Sequence, residues 1–139
     1  HRWMDEVDAS GGLIAVASGV FYFLETSSVR DLVNAMSHRF PGGRLVYDSE
    51  SPEMVAMSEQ AVRDRGIDAA PIPFRVADPC AAHTWSPRVS QIRVNFDLST
   101  YAADPSALPA QVLEGFAQMR QGRALYEVIA DFAVAGEPH

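Results

Sequence analysis

Apolar and polar positions alternate along the chain in blocks that predict strands and helices in turn. The run GLIAVA at 12–17 is short, unbroken and apolar, which is typical of a strand covered on both faces. Helical spacing follows in 28–40, where Ser28 and Asp31 form a capping-box-like start and the glycine-rich PGG stops the helix. The apolar face of this predicted helix consists of Val29, Leu32, Val33, Met36 and Phe40.

A predicted strand followed by a predicted helix recurs in the next stretch of the chain. RLVYD at 44–48 predicts a second strand, and 51–66 predicts a second helix. Ser51 is the expected N-cap, Pro52 occupies the first helical position and Gly66 ends the helix. The inner face is predicted to be Met54, Met57 and Ala61, with Val62 at its edge.

The second half of the chain begins with a segment that has no clear period. Residues 67–88 contain four prolines, which is typical of a functional loop or a lid. VSQIRVNFDL at 89–98 then alternates as a half-exposed strand, with Ile92, Val94 and Phe96 on one side. A third helix is predicted within 108–122, with Val112, Phe116 and Met119 on one face and Gly122 at its end. A last strand follows, in which alternate positions are apolar or aromatic: Tyr126, Val128, Ala130, Phe132 and Val134.

The order β–α–β–α–loop–β–α–β predicts an α/β sheet with helices packed on its faces. Ligands of open α/β sheets bind at the carboxyl ends of strands, where Ser18-Gly19 and Asp48-Ser49 lie in this sequence. Gly19 would allow a ligand or another backbone to approach closely, because glycine has no Cβ. The adjacent aromatics Phe21 and Tyr22 are then expected to stand over a pocket. Four strands are few for this architecture, so part of the sheet is expected to be missing.

Composition and charge narrow the functional classes. The 139 residues are 47% hydrophobic, enough for one domain with a real core, and the net charge of −7 disfavours nucleic acid and anionic membrane surfaces. No apolar run approaches the roughly 20 residues of a membrane helix. Cys80 stands alone, so no internal disulfide forms, which fits a reducing, cytoplasmic location. The start HRWMDEV lacks the apolar region of a signal peptide, and its early tryptophan suggests a chain that begins inside a larger unit.

Four stretches of the sequence carry a resemblance to a known family. They are WMD at 3–5, GVFYFLE at 19–25, RFPGGRLVYD at 39–48 and WSPR at 85–88. In these stretches the chain resembles the second half of the S-adenosylmethionine-dependent methyltransferases of the leucine carboxyl methyltransferase group, typified by the tetracenomycin-type polyketide O-methyltransferases. The resemblance covers the first two thirds of the chain, and the last third fits by its strand–helix–strand order.

The resemblance implies a Rossmann-like fold with seven strands, the last of them antiparallel. Residues 13–17, 45–48, 89–96 and 125–134 would be the fourth to seventh strands, so 1–139 would form a single partial domain. The first three strands, the glycine-rich cofactor loop and the acid that holds the ribose are not found here, and no G-x-G occurs. Ser18 also stands where many relatives carry a glutamate. The expected protein is therefore the C-terminal half of a methyltransferase, a fragment or a truncated product, inactive as an isolated chain.

The resemblance also implies the site residues. Ala17, Ser18 and Gly19 would face the methionine end of S-adenosylmethionine. A small-molecule methyl acceptor would contact Phe21, Tyr22, Glu25 and Trp85, with 67–88 covering it. The acceptor class stays open between a polyketide phenol, a small carboxylate and a protein C-terminus.

Each candidate residue also has an ordinary structural interpretation. Phe21 and Tyr22 suit a core, Glu25 suits a solvated helix entry, and Trp85 is either a lid anchor or a core residue. Glu25 and His83 are the candidate bases, and no residue is singled out as catalytic. The loop cluster Asp78, Cys80 and His83 lacks the paired spacing of a structural zinc site, so no metal is expected.

Two alternatives to a methyltransferase remain. An unpaired strand at 13–17 would recruit a partner, so the chain could be a non-catalytic interaction module that forms a homodimer or pairs with a separate N-terminal half. A nucleotide-binding Rossmann enzyme of another class is the weaker alternative, because the sequence has no phosphate-binding glycine loop.

Overall fold

The computed structural model describes residues 2–68 and 71–136, which build a four-stranded mixed sheet with three α-helices. The strands are β1 (Ile14–Ala17), β2 (Arg44–Glu50), β3 (Val89–Asn95) and β4 (Leu125–Phe132). Their spatial order is β1-β2-β4-β3; β1 runs parallel to β2, and β4 runs antiparallel to both of its neighbours. The helices are α1 (Thr26–Arg39), α2 (Pro52–Arg63) and α3 (Ala110–Gly122). The predicted α/β sheet and its antiparallel last strand are confirmed.

The hydrophobic core lies on one face of this sheet. Alternate residues of β2 and β4 point into it and are at most 3% exposed: Leu45, Tyr47, Tyr126, Val128, Ala130 and Phe132. Helix α1 covers them with Val29, Val33 and Met36, as its apolar spacing predicts. Burying a side chain of this size contributes about 1.5–3 kcal/mol, so this face supplies most of the stability of the sheet.

The opposite face of the sheet, which we call the open face, is covered differently. Its residues on β1 are Ile14 and Val16, each 68% exposed, whereas Ala15 and Ala17 pack against the core. The prediction that this strand is covered on both faces is therefore wrong for the described part of the chain. The physical reason is that β1 pairs only with β2 there, and no described element covers Ile14 or Val16.

Helix α1 begins earlier than its predicted capping box. Glu25 is the N-cap residue, and its carbonyl accepts the Val29 N–H at 3.1 Å, so Ser28 lies inside the helix and caps nothing. The early start is held by a contact distant in sequence, because the Thr26 hydroxyl accepts the Arg75 N–H at 3.0 Å. The predicted cap at Ser28 is wrong because sequence pattern alone does not include that contact.

Helix α2 confirms the predicted N-cap but not the predicted inner face, and it ends at Arg63 rather than at Gly66. The Ser51 hydroxyl accepts the Met54 N–H at 3.1 Å, and Pro52 is the first helical residue. The buried residue is Val55, whereas Met57 is 67% exposed and Ala61 is exposed. The apolar stripe of this helix is narrow, so tertiary packing rather than periodicity decides which side turns inward.

The proline-rich segment is irregular, as expected, but its middle is anchored in the core. Phe74 is 2% exposed and Val76 is 9% exposed. Arg75 between them forms an ion pair with Glu59 of α2 at 2.6 Å. A short 3-10 turn, Ala81–Thr84, is its only helical element in the described residues, and positions 69 and 70 lie outside them.

Helix α3 ends at the predicted glycine, but the glycine does not take the left-handed conformation. Arg123, the next residue, has a φ of +49°, and it is the only non-glycine residue with positive φ in the described ranges. An L-residue pays about 1 kcal/mol for this conformation. Phe116 and Met119 are half-buried as expected, whereas Val112 is 42% exposed.

Candidate functional site

The carboxyl ends of β1, β2 and β3 meet at one edge of the sheet, which we call the carboxyl edge. They meet there because β1 is parallel to β2, and β2 and β3 are both antiparallel to β4. The pairing of Ala17 with Tyr47 brings the Ser18-Gly19 turn next to Asp48. This is the edge at which open α/β sheets bind ligands.

Asp48, near the end of β2, is hydrogen-bonded to the segment that follows β1. One of its carboxylate oxygens accepts the Gly19 N–H at 2.7 Å, and the other accepts the Tyr22 hydroxyl proton at 3.0 Å. Gly19 has a φ of +65°, which glycine adopts without strain, and no other atom lies within 4 Å of the place where a Cβ would stand. The turn after β1 is therefore held in one conformation while its outer side stays open.

Burial, and after it the nearby carboxylates, set the protonation of the residues around Asp48. Burial raises the pKa of Tyr22 far above its usual range, and the nearby carboxylates Asp48 and Glu50 raise it further. Burial likewise raises the pKa of Glu50, although the Ser58 hydroxyl donates to its carboxylate at 3.4 Å. Tyr22 thus stays protonated and acts as a hydrogen-bond donor at any physiological pH.

A small cavity opens at this point on the open face. Its volume is about 140 Å³, and its walls are formed by Val16, Ser18, Val46, Tyr47, Asp48 and Glu127. Two carboxylates therefore border a partly apolar cavity. Such a surface favours a ligand group that is positively charged or that donates hydrogen bonds.

The structure brings some predicted site residues together. Ala17, Ser18 and Gly19 are consecutive at the carboxyl edge, and Tyr22 joins them through Asp48. Among the described residues, the exposed Ser18 hydroxyl has no hydrogen-bond partner. The sequence pattern does not single out Asp48 as a site residue, although its place at the end of a predicted strand is the available signal.

Phe21 and Trp85 belong to an aromatic cluster in the core. Phe21 is 2% exposed, and its ring centroid lies 5.2 Å from that of Tyr47 and 5.8 Å from that of Phe74. Trp85 is half-buried and stacks on Tyr47 at 6.4 Å. Packing thus explains an aromatic residue directly after the turn, and a role for Phe21 and Trp85 toward an acceptor stays a prediction.

Among the described residues, neither candidate base hydrogen-bonds to Asp48. Glu25 is exposed at the start of α1, and its side chain makes no capping hydrogen bond. His83 is exposed on the 3-10 turn. Neither residue lines the cavity described above.

The loop cluster considered for a metal has a local structural role. One carboxylate oxygen of Asp78 accepts the Cys80 N–H at 2.9 Å and closes a turn. Across residues 2–68 and 71–136, no three His, Cys, Asp or Glu side chains are grouped so that they could hold a metal ion. In the same part of the chain, no helix has both the length and the apolar character needed to cross a membrane.

Comparison of the sequence with protein-family models finds no match, and comparison with curated proteins finds none either.

Proposed function

We propose that this chain is the C-terminal half of an S-adenosylmethionine-dependent O-methyltransferase and supplies one wall of its cofactor site. One observation carries the proposal: within residues 2–68 and 71–136, one edge of β1 pairs with no strand, and the turn at its carboxyl end is nevertheless ordered and hydrogen-bonded to Asp48. A structured turn at the carboxyl edge, beside a strand with one unpaired edge, fits a sheet that continues in another segment. The antiparallel β4 agrees with the last strand that the sequence resemblance implies.

The residues present fit one side of the cofactor. S-adenosylmethionine would supply a methyl group on a positively charged sulfur, and the carboxylates Asp48 and Glu127 around the cavity favour positive charge. Gly19 leaves open space on its outer side. Its N–H is already bound to Asp48, so the wall would act through shape and charge rather than through that donor.

The chain's own residues would act mainly by positioning. Methyl transfer is an in-line displacement, which depends on alignment of the reacting groups more than on acid–base machinery. Asp48 fixes the turn, and the raised pKa of Tyr22 makes this phenol a donor rather than a base. A base for the acceptor, if one is needed, would come from another residue.

Calorimetry with S-adenosylmethionine tests the proposal. The 139-residue chain alone is expected to bind the cofactor with a Kd above about 1 mM. A chimera in which the first half of a polyketide O-methyltransferase precedes this chain is expected to bind at least tenfold more tightly. Tight binding by the chain alone, or no binding by a cooperatively folded chimera, would contradict the proposal.

A pair of glycine variants supplies the matched control for that experiment. Gly19 and Gly66 have similar left-handed φ angles, +65° and +71°, and open space where a Cβ would stand. Gly19→Ala and Gly66→Ala therefore introduce comparable backbone strain. Only Gly19→Ala is expected to weaken cofactor binding by the chimera, by about tenfold, and equal effects would remove Gly19 from the cofactor wall.

The exposed side of β1 favours a second candidate function, a non-catalytic interaction module. Beside the free edge lies an apolar groove of about 200 Å³, whose lining includes Trp3, Val16, Val20, Leu32 and Met36. Free strand edges with exposed apolar side chains recruit further strands. The partner would be a second copy of this chain or a separate N-terminal half.

Sedimentation tests the self-association that this second candidate implies. An interaction module is expected to self-associate at micromolar concentration, and Val16→Lys would abolish this association by placing a charge beside the free edge. Thr84→Lys, an exposed position on the 3-10 turn, is the charge-matched control. A wild-type chain that stays monomeric at high concentration argues against self-association.

A further inference from the structure

The end of α3 places a cation over an aromatic ring at the carboxyl edge. Arg123 adopts a left-handed backbone conformation although a glycine directly precedes it. Its guanidinium carbon lies 4.1 Å from the centroid of the Phe96 ring, within the range of a cation–π contact. Phe96 follows β3 and Arg123 precedes β4, so both belong to the edge where this class of sheet binds ligands.

A cavity of about 350 Å³ lies beside this pair and is separate from the cavity at Asp48. Its walls are largely apolar and aromatic: Pro52, Ala77, Pro79, Phe96 and Tyr126. The start of α2 contributes Ser51 and Glu53. A volume and lining of this kind suit a planar organic ligand.

Two of the four polar side chains that line the cavity already have hydrogen-bond partners. The Ser51 hydroxyl accepts the Met54 N–H, and the Tyr126 hydroxyl donates to the Val76 carbonyl at 3.5 Å. Within residues 2–68 and 71–136, the Arg123 guanidinium makes no hydrogen bond and no ion pair. It is the positive group in the lining that a ligand can engage.

We propose that this cavity binds an aromatic carboxylate, with the carboxylate paired to Arg123 and the ring packed among the aromatic and proline side chains. A guanidinium presents two parallel N–H donors that match the two oxygens of a carboxylate. Glu53 at the same cavity repels negative charge, so it limits the ligand to a single anionic group near Arg123. The binding does not depend on the proposed function.

Titration of the ¹⁵N-labelled full chain with 2-naphthoate, followed by NMR, tests the proposal, and 2-naphthamide serves as the uncharged probe of the same shape. Naphthoate is expected to bind with a submillimolar Kd and to shift the amides of Phe96, Arg123 and Tyr126. Naphthamide is expected to bind at least tenfold more weakly, because it cannot form the ion pair.

Three variants make the test specific. Arg123→Gly removes the guanidinium and suits the left-handed backbone, so the chain keeps its fold while naphthoate binding weakens at least tenfold. Glu53→Gln removes the repulsion and tightens binding about twofold. Arg65→Gln, an exposed arginine beyond the other end of α2, changes the net charge as Arg123→Gly does and leaves binding unchanged.

Four results would overturn the proposal: no binding of naphthoate at 5 mM, equal binding of naphthoate and naphthamide, equal binding by wild type and Arg123→Gly, or shifts confined to residues outside the cavity. No cofactor is present in this experiment, so its outcome does not depend on whether the chain belongs to a methyltransferase. Failure of the chimera to bind S-adenosylmethionine would leave the carboxylate site in place.

Discussion

The two faces of the sheet differ in what supports them. On the core face, Leu45, Val128 and Ala130 are at most 2% exposed beneath α1 and the aromatic cluster. On the open face, Ile14 and Val16 are each 68% exposed, although both are typical of buried strands. Burial on the core face therefore stabilises the fold, whereas the open face and the β1 edge carry apolar side chains that stay exposed in the described chain.

The two faces also differ in how their polar side chains are paired. On the open face, Arg44 and Arg93 both pair with Asp131, at 2.5 Å and 3.0 Å. At the carboxyl edge, Asp48 holds the β1 turn through two hydrogen bonds. On the core face, the Ser37 and Ser86 hydroxyls share a hydrogen bond of 2.8 Å. We therefore expect substitutions on the two faces to lower the free energy of unfolding by different amounts.

The largest expected effect comes from the core face. Leu45→Ala should lower the free energy of unfolding by about 3 kcal/mol, because it leaves a cavity beneath α1. Val16→Thr, on the open face, keeps a β-branched side chain and should change the free energy of unfolding by less than about 0.5 kcal/mol. Urea denaturation measures the free energy of unfolding of both variants. Equal losses would show that Val16 is buried in solution.

The next effect concerns the one carboxylate that ties the β1 turn to β2. Asp48→Ala leaves the half-buried Tyr22 hydroxyl and the Gly19 N–H without their acceptor and should cost about 1.5 kcal/mol. Amide exchange at Gly19 should accelerate at the same time. Asp64→Ala, at an exposed carboxylate bound to Gln60, is the control, and similar exchange at Gly19 in both variants would deny Asp48 this role.

A different kind of effect should appear only in alkaline solution. Tyr22 has a raised pKa in the folded chain, so the unfolded phenol loses its proton first as pH rises through about 10. The contribution of protonated Tyr22 is intact below that pH and is lost above it. Between pH 10 and 12, the slope of the free energy of unfolding against pH gives the number of protons released on unfolding. Tyr22→Phe should reduce that number by about one. An unchanged slope would mean that Tyr22 is not buried beside Asp48.

The smallest expected effect belongs to the ion pairs of the open face. Asp131→Asn should cost about 0.5 kcal/mol, because both arginine partners are more than 40% exposed and solvent screens the pairs. The difference between variant and wild type should shrink further in 1 M NaCl. A loss near that of Leu45→Ala would indicate that this face is covered in solution.

Much of the fold could be predicted from local pattern. The four strands and three helices lie where apolar spacing puts them, and the Ser51 cap and the end of α3 at Gly122 follow from local chemistry. The α1 start, the buried side of α2 and the left-handed Arg123 could not be predicted, because contacts distant in sequence decide each of them.

The candidate site was predicted only in outline. The Ser18-Gly19 turn was expected at a strand end, and it lies there. Asp48 was noticed as a strand end and not as the residue that binds the turn, because a hydrogen bond across 29 positions leaves no local signal. The cavity beside Arg123 combines α2, the segment after β3 and the end of α3, and none of these alone indicates a site.

Local sequence pattern is sufficient to place the strands and helices of this chain, because periodic burial and end caps act over a few neighbouring residues. Contacts between distant segments place β1 at an edge of the sheet with one face exposed. They also pack Phe21 in the core, bind Tyr22 to Asp48 and hold Arg123 over Phe96. Local pattern cannot predict these features, because strand order and side-chain pairing depend on which distant segments meet. Short-range pattern is compatible with several such arrangements, and packing of the whole chain selects one.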